Sequence, residues 1–200
     1  MSLYSTILFL TKCVLRSFYR IRFSGLENLP KGGALLACNH ISYLDPPLVA
    51  IANKDKVHFL ARETLFKGRF GRFITALNAH PVSDDHNLNT VKLLVKLVNQ
   101  GGKVIIFPEG ARSWDGKIQD IKPGIGLIMS LSKKPIIPVY IEGAFAVWPR
   151  LRKWPRLKGR MTVRFGKPLV WDDFAALPKG EVQVEIAEAL KRALQSLRDR

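Results

Sequence analysis

The stretch A-L-L-A-C-N-H-I-S-Y-L-D-P-P-L-V-A-I-A, residues 34–52, contains the pattern that decides the fold. Residues 34–38 are a short apolar run, which predicts a buried strand. Asp45 followed by Pro46 predicts a helix start, with the aspartate at the N-cap and the proline at the first helical position. This helix is expected to continue to about Asn53. A strand, a loop and a helix follow one another directly, as they do in the repeating unit of α/β proteins.

The same alternation continues along the rest of the chain. Apolar runs and helical spacing predict strands at 57–61, 103–107, 135–141 and 161–165, and helices at 87–99, 124–132 and 181–198. Residues 63–80 are rich in Phe, Gly and Arg and give no assignment. Strands that alternate with helices predict an α/β fold, a single domain with a mostly parallel central sheet flanked by helices.

The composition restricts the possible partners. The chain has 200 residues, and its apolar fraction of 47% excludes global disorder. Lys and Arg number 32 against 16 Asp and Glu, so the formal net charge is +16. Such a surface attracts polyanions, which include nucleic acid, anionic lipid and phosphorylated substrates. Two cysteines, Cys13 and Cys38, are too few for a disulfide framework or a zinc site.

Residues 1–22 are expected to form an amphipathic helix ahead of a domain at residues 23–200. The apolar run at residues 3–15 is shorter than the roughly 20 apolar residues that span a membrane. Helical spacing separates a basic face from a largely apolar one: Lys12, Arg16 and Arg20 against Leu3, Ile7, Leu10, Val14 and Phe18. Two interpretations stay open here: a helix that lies in a membrane interface, and a helix that packs on the protein's own core.

Polar residues follow two of the predicted strands at their carboxyl ends, where open α/β sheets bind ligands. Strand 34–38 leads to His40, with Asp45 after it, and strand 103–107 leads to Glu109 and Arg112. If these strands are neighbours, the side chains converge on one crevice. By spacing alone, the first pair is either a histidine base oriented by an aspartate or a polar loop residue beside an N-cap.

Cys38 and the other histidines allow further interpretations. Cys38 lies two residues before His40, so a Cys-His nucleophile is one alternative, although a small buried thiol is more common in a strand. His58, His80 and His86 have no metal-ligand spacing and are interpreted as loop or surface residues. We therefore expect no metal site.

Several blocks of the chain resemble those of the glycerolipid acyltransferases, and within that family the 1-acylglycerol-3-phosphate acyltransferases. N-H-I-S-Y-L-D at residues 39–45 resembles their N-H-x-x-x-x-D block, and F-P-E-G-A-R-S at 107–113 resembles F-P-E-G-T-R-S. A-R-E-T-L-F-K at 61–67 and I-I-P-V-Y-I at 136–141 are similar to their second and fourth blocks. F-G-K-P-L at 165–169 resembles a late element of the family.

The resemblance implies a direct acyl transfer. His40 would take the proton from the free hydroxyl of 1-acylglycerol 3-phosphate, and Asp45 would orient and stabilise it. The oxygen would attack an acyl thioester, either acyl-CoA or acyl carrier protein, and the product would be phosphatidic acid for phospholipid synthesis. Neither a resident cofactor nor a metal ion is implied. Glycerol 3-phosphate or another lysophospholipid is the alternative acceptor.

The resemblance also assigns residues to the acceptor. Glu109, Gly110 and Arg112 would hold the glycerol phosphate portion, and Arg62 would be a second phosphate contact. Ala111 stands where the family usually has a threonine. The second block usually carries an arginine near the position of Asp84, and this chain has none between Arg72 and Arg112.

The segment W-P-R-L-R-K-W-P-R-L-K-G-R, residues 148–160, holds six basic residues, two tryptophans and no acid. It predicts a patch that faces membrane lipids, since tryptophan and basic side chains favour anionic interfaces. A solvated basic loop with inward tryptophans is the alternative. We expect a peripheral or monotopic protein at the cytoplasmic face of a membrane. A nucleic-acid-binding module, or a membrane scaffold without activity, explains the charge but not His40 and Asp45, so no nucleic-acid partner is expected.

Overall fold

Seven strands form one sheet in the computed structural model, which describes residues 3–82, 88–178 and 180–200. The strands are β1 (Tyr19–Ser24), β2 (Ala34–Cys38), β3 (Val57–Arg62), β4 (Ala79–Val82), β5 (Lys103–Ile106), β6 (Ile136–Glu142) and β7 (Gly159–Phe165). They lie side by side in the order β1-β7-β6-β2-β5-β3-β4. Neighbouring strands are parallel except for β6 and β7. The predicted α/β fold with a mostly parallel sheet is confirmed.

Helices cover both faces of this sheet. They are α1 (Leu3–Phe18), α2 (Asp45–Ala52), α3 (Gly68–Ala76), α4 (Leu88–Asn99), α5 (Gly124–Ser132), α6 (Ala144–Val147) and α7 (Val182–Arg198). Side chains of α1, α2 and α6 join one apolar cluster, and those of α4, α5 and α7 join a second. The central strand β2 supplies Leu36 to the first cluster and Leu35 to the second. Because both of its faces are covered, β2 is apolar throughout rather than alternating.

The N-terminal helix differs from its prediction. It ends at Phe18, and residues 19–24 form the edge strand β1 instead of continuing the helix. Arg20 therefore lies on a strand. The prediction that it shares a helical face with Lys12 and Arg16 is wrong. The side chains of β1 alternate between covered and exposed, the period of two that a strand requires.

Residues 63–80, which the sequence left unassigned, contain α3 and the start of β4. Helix α3 buries only Gly71 and Ile74 and leaves Phe70 and Phe73 exposed. Gly68 and Gly71 lie within this short helix, and glycine lowers helix propensity, which explains why the sequence did not predict it.

Helix α1 has two apolar sides with different surroundings. Tyr4 and Leu15 are buried, and the hydroxyl oxygen of Tyr4 accepts a hydrogen bond of 3.1 Å from the Val57 N–H. The helix thus packs on its own domain. On the other side a set of large apolar side chains is 47–65% exposed, and we call this set the open face of α1: Leu3, Phe9, Leu10, Val14 and Phe18. Among the described residues, no helix is long and apolar enough to span a membrane.

Candidate active site

The carboxyl ends of β2 and β5 meet in the middle of the sheet. These strands are parallel neighbours, with Ala37 opposite Ile106, so the loops that follow them leave the sheet side by side. Two hydrogen bonds join the loops: the Ser113 N–H donates to the His40 carbonyl at 2.7 Å, and the His40 N–H donates to Oε1 of Glu109 at 3.2 Å. The predicted convergence of the two loops is therefore present.

Asn39 anchors the first loop to the next strand of the sheet. Its side chain is buried, its Nδ2 donates to the carbonyl of Ile141 at 3.0 Å, and its Oδ1 accepts from the Ile141 N–H at 2.7 Å. This pair of bonds continues the ladder between β2 and β6 beyond the last residue of β2. The residue that follows, His40, consequently starts from a fixed backbone position.

His40 and Asp45 are in direct contact. Nδ1 of His40 lies 2.9 Å from Oδ2 of Asp45, which also accepts hydrogen bonds from the N–H groups of Ile41 at 2.7 Å and Ser42 at 2.8 Å. Helix α2 begins at Asp45 with Leu44 at the N-cap, one residue earlier than predicted. The carboxylate therefore folds the preceding loop back onto itself instead of capping the helix. A hydrogen bond at Nδ1 makes Nε2 the nitrogen available to a substrate hydroxyl.

The surroundings of the pair restrict both side chains. The Asp45 side chain is fully buried and that of His40 is 19% exposed, so the ring lies at the boundary of the core. The ring of Phe107, from the second loop, stacks on the imidazole with 3.9 Å between centroids and 20° between planes. Complete burial raises the pKa of Asp45, and the hydrogen bonds from His40, Ser42 and Ile41 oppose that rise.

Glu109 is a second buried carboxylate beside this pair. Burial raises its pKa from 4.5 to about 7, the hydrogen bonds from the backbone of His40 and Gln119 oppose the rise, and the negative charge of Asp45 adds to it. Within the described residues, its Oε2 is buried without a hydrogen-bond partner. The carboxyl group therefore exchanges its proton near neutral pH, next to the loop that carries His40.

We expect the raised pKa of Glu109 to appear in the pH dependence of stability. Between pH 4.5 and 7 the folded state holds this proton more tightly than the unfolded state, so the free energy of unfolding falls as pH rises through that window. Relative to Glu109→Gln, the wild type should lose about 2–3 kcal/mol between pH 5 and pH 8 in urea unfolding. The exposed Glu188→Gln should show no such difference. Parallel pH profiles for the wild type and Glu109→Gln would contradict the burial of an ionisable carboxyl here.

Arg112 lies against an aromatic side chain of the first loop, Tyr43. The centre of its guanidinium lies 3.5 Å from the centroid of the Tyr43 ring, and Tyr43 contacts Trp148 with 5.1 Å between centroids. Nη1 of Arg112 is buried and has no hydrogen-bond partner within the described residues. No role in the site was predicted for Tyr43, Trp148 or Phe107. The sequence signal that could have identified these residues is an aromatic side chain within or next to each motif.

Gly110 and a lysine approach each other closely in the second loop. Gly110 has φ +82°, and a Cβ placed on it would lie 2.6 Å from Nζ of Lys122. The ammonium group therefore rests against Gly110, where a larger residue would displace it and strain the backbone. Lys122 was not predicted as a site residue, because it lies outside the motifs. Its approach brings a second cation to the loop of Arg112.

Arg62 ends β3, and it is exposed at the same edge of the sheet because β3 pairs with β5. Ala111 is exposed next to Arg112. Asp84 and His86 lie outside the described residues.

Cys38 and the remaining histidines are placed elsewhere. Cys38 is fully buried, and burial raises the pKa of its thiol well above the usual value, with further contributions from Asp45 and Glu109. A buried thiol held neutral is a poor nucleophile, so the Cys-His alternative is disfavoured. We expected His58 and His80 to be loop or surface residues. They lie instead on β3 and β4, and Nδ1 of His58 is 3.0 Å from Nε2 of His80. Among the described residues, no third ligand completes a metal site there.

The segment of residues 148–158 packs beside these loops, and we call it the basic loop. Nε1 of Trp148 donates to the Arg152 carbonyl at 3.0 Å, so this tryptophan is turned toward the protein. Leu151, Trp154 and Leu157 are 66–80% exposed. Trp148 therefore packs inward and Trp154 is exposed, so each of the two predicted orientations is found in one tryptophan.

Comparisons with known proteins agree with this architecture. The family model described as Acyltransferase matches residues 20–142. A 1-acyl-sn-glycerol-3-phosphate acyltransferase of Bacillus subtilis is 30% identical over 178 residues, which cover 87% of this chain and 86% of the relative. A chloroplastic enzyme of the same name from Arabidopsis thaliana is 26% identical, and the matched region is 50% of its length. The crystal structure of the LPA acyltransferase PlsC from Thermotoga maritima superimposes with a TM-score of 0.79 at 26% identity, over 98% of this chain and 82% of that one.

The fold, the two joined loops and these relatives together define an O-acyltransferase of phospholipid synthesis. The protein belongs to the Acyltransferase family, whose model covers more than half of the chain.

Proposed function

We propose that the protein transfers a fatty acyl group from an acyl thioester to the free hydroxyl of 1-acylglycerol 3-phosphate and so makes phosphatidic acid. The observation that carries the proposal is the 2.9 Å contact between Nδ1 of His40 and Oδ2 of Asp45, beside the loop of Glu109 and Arg112. The Bacillus subtilis and Thermotoga maritima relatives, both named for acyl transfer to this lysophospholipid, support the same acceptor. Lysophosphatidic acid is the acceptor that we propose.

In the proposed reaction, Nε2 of His40 takes the proton of the acceptor hydroxyl as its oxygen attacks the thioester carbonyl carbon. Asp45 stabilises the imidazolium that forms, through the hydrogen bond at Nδ1. The new C–O bond forms, the C–S bond breaks, and the proton on His40 passes to the departing thiolate. General-base assistance of this kind contributes about 10²–10⁴-fold to the rate. The remainder comes from the position of the acceptor next to the ring.

Cationic side chains around the second loop are proposed to hold the acceptor phosphate. Arg112 suits this role because its guanidinium, stacked on Tyr43, keeps its N–H edge for planar contacts with phosphate oxygens. Lys122 lies against Gly110, and Arg62 is exposed at the same edge. Glu109 accepts a hydrogen bond from the His40 N–H and so connects the binding loop to the catalytic loop. Acyl-CoA and acyl carrier protein present the same thioester, and either serves as co-substrate without a resident cofactor.

The protein is further proposed to bind the cytoplasmic surface of a membrane from one side. Two exposed apolar surfaces support this: the open face of α1 and the apolar tips of the basic loop. The net charge of +16 favours an anionic surface. Both the proposed acceptor and the product are lipids, so a membrane position brings the site to its substrate.

The direct test is phosphatidic acid formation by the purified protein in neutral-detergent micelles that contain lysophosphatidic acid. Long-chain acyl-CoA and acyl carrier protein are supplied in separate reactions, and glycerol 3-phosphate is the comparison acceptor. Turnover of lysophosphatidic acid above that of glycerol 3-phosphate is the expected result. Activity only with glycerol 3-phosphate would change the acceptor. No activity with either acceptor or donor would favour the scaffold alternative.

We expect the open face of α1 to dominate membrane binding. The double substitution Leu10→Ser and Val14→Ser removes two exposed apolar side chains and should weaken binding to phosphatidylglycerol-containing vesicles at least about tenfold. Leu88→Ser, which removes an exposed apolar residue from α4, is the matched control and should bind like the wild type. Vesicle sedimentation measures this. Equal binding by the double variant would exclude α1 as the lipid contact.

A further inference from the structure

Two pairs of cationic and aromatic side chains connect the basic loop to the loop of Arg112. Arg112 lies over the ring of Tyr43 at 3.5 Å, and Tyr43 contacts Trp148, the first residue of the basic loop. Two residues further on, the guanidinium of Arg150 lies 4.0 Å from the centroid of the Trp114 ring. Trp114 in turn lies two residues after Arg112. The contacts therefore form a closed chain with two guanidinium groups in it.

Hydrogen bonds fix the start of the basic loop relative to the catalytic loop. The carbonyl of Trp148 accepts from Oγ of Ser42 at 2.9 Å and from the Tyr43 N–H at 3.4 Å. The indole N–H of Trp148 closes a turn on the Arg152 carbonyl. Arg150 lies inside that turn, so its backbone is held close to the loop that carries His40.

The charge around Arg150 is uncompensated in the described part of the chain. No ion pair there includes Arg150, and the segment of residues 148–160 contains no acidic residue. A guanidinium stacked on an indole keeps its N–H edge for hydrogen bonds. Arg150 is thus held in one orientation by Trp114 while its donors remain for an anion.

We propose that Arg150 is a second phosphate-binding residue for the acceptor, supplied by the basic loop and acting together with Arg112. This inference rests on the proposed function. A phosphomonoester carries up to two negative charges and three strong acceptor oxygens, which two guanidinium groups from different loops satisfy better than one.

The test compares Arg150→Ala with Lys153→Ala, which removes the same charge from an exposed position of the same loop. Both are assayed in neutral-detergent micelles in which lysophosphatidic acid is the only anionic lipid, so that general attraction of the loop to the surface is small. We expect Arg150→Ala to raise KM for lysophosphatidic acid about tenfold, the effect of losing one charge-assisted hydrogen bond, with kcat and KM for the donor nearly unchanged. Lys153→Ala should match the wild type. Arg150→Lys should recover part of the loss, because it restores the charge but not the planar stack.

The possible outcomes separate this inference from the proposed function. An active wild type with an unchanged KM in Arg150→Ala overturns the inference alone. An equal rise in KM for Lys153→Ala also overturns it, since general charge then explains the effect. A rise in KM for acyl-CoA instead of the acceptor assigns Arg150 to the donor and contradicts the proposal. A wild type that is inactive with lysophosphatidic acid overturns the proposed function and this inference together.

Discussion

Replacement of His40 with alanine is expected to lower kcat for acyl transfer by about 10²–10⁴-fold, the usual contribution of a positioned general base. The substitution removes the ring that lies 2.9 Å from Asp45 and stacks on Phe107, and with it the nitrogen that we propose as the base for the acceptor hydroxyl. KM for lysophosphatidic acid should change little, because the proposed phosphate contacts belong to other residues. The measurement is phosphatidic acid formation at matched protein concentration, with thermal unfolding recorded for each variant.

The control for this variant is His80→Asn, which alters a half-buried histidine on β4, away from the carboxyl ends of β2 and β5. It should keep the activity of the wild type within about twofold, the expected effect of a change outside the site. If His40→Ala folds normally and keeps full activity, the general-base mechanism is wrong even though the family assignment stands.

Asp45→Asn is expected to have an effect of similar size for a different reason. The amide has the shape of the carboxylate, and its oxygen can still accept the N–H groups of Ile41 and Ser42, so the loop should keep its conformation. It no longer carries the negative charge that stabilises the imidazolium of His40. In serine proteases the equivalent change lowers kcat by about 10⁴-fold, and we expect a loss of about 10³–10⁴-fold here.

A comparison with Asp45→Ala separates charge from structure. Alanine leaves two buried N–H groups without an acceptor, which costs about 1–3 kcal/mol of unfolding free energy for each group, whereas asparagine should cost much less. Asp120→Asn, at an exposed aspartate paired with Lys191, should change neither stability nor activity appreciably. Full activity in a stable Asp45→Asn variant would show that the carboxylate only folds the loop.

Much of the fold follows from local patterns in the sequence. Strand β2 was predicted with its observed ends, because an apolar run bounded by Gly33 and Asn39 leaves few alternatives. Strand β1 was missed, since its alternation of basic and apolar residues follows a helix without a break. An edge strand of this kind is specified by its pairing with β7, which lies far away in the sequence. Pairing with a distant strand leaves no signal in the local spacing of residues.

The site was predicted in part. His40, Asp45, Glu109 and Arg112 come from loops that follow predicted strands, so their approach depends only on β2 and β5 being neighbours. Tyr43 and Trp148 are separated by more than one hundred residues, and nothing in their spacing predicts that their rings meet. The same holds for Lys122 and its contact with Gly110.

The sequence alone determined the alternation of strands and helices, the position of each motif at the end of a strand, and the family. These properties depend on residues close together in the chain, whose hydrophobic period and turn chemistry act locally. The tertiary structure decided which side of α1 is covered, why the Glu109 carboxyl has a pKa of about 7, and that Arg150 stacks on Trp114, two residues from Arg112. Burial and contacts between distant residues arise only when the strands take their order in the sheet, because that order sets the distances over which desolvation and charge act.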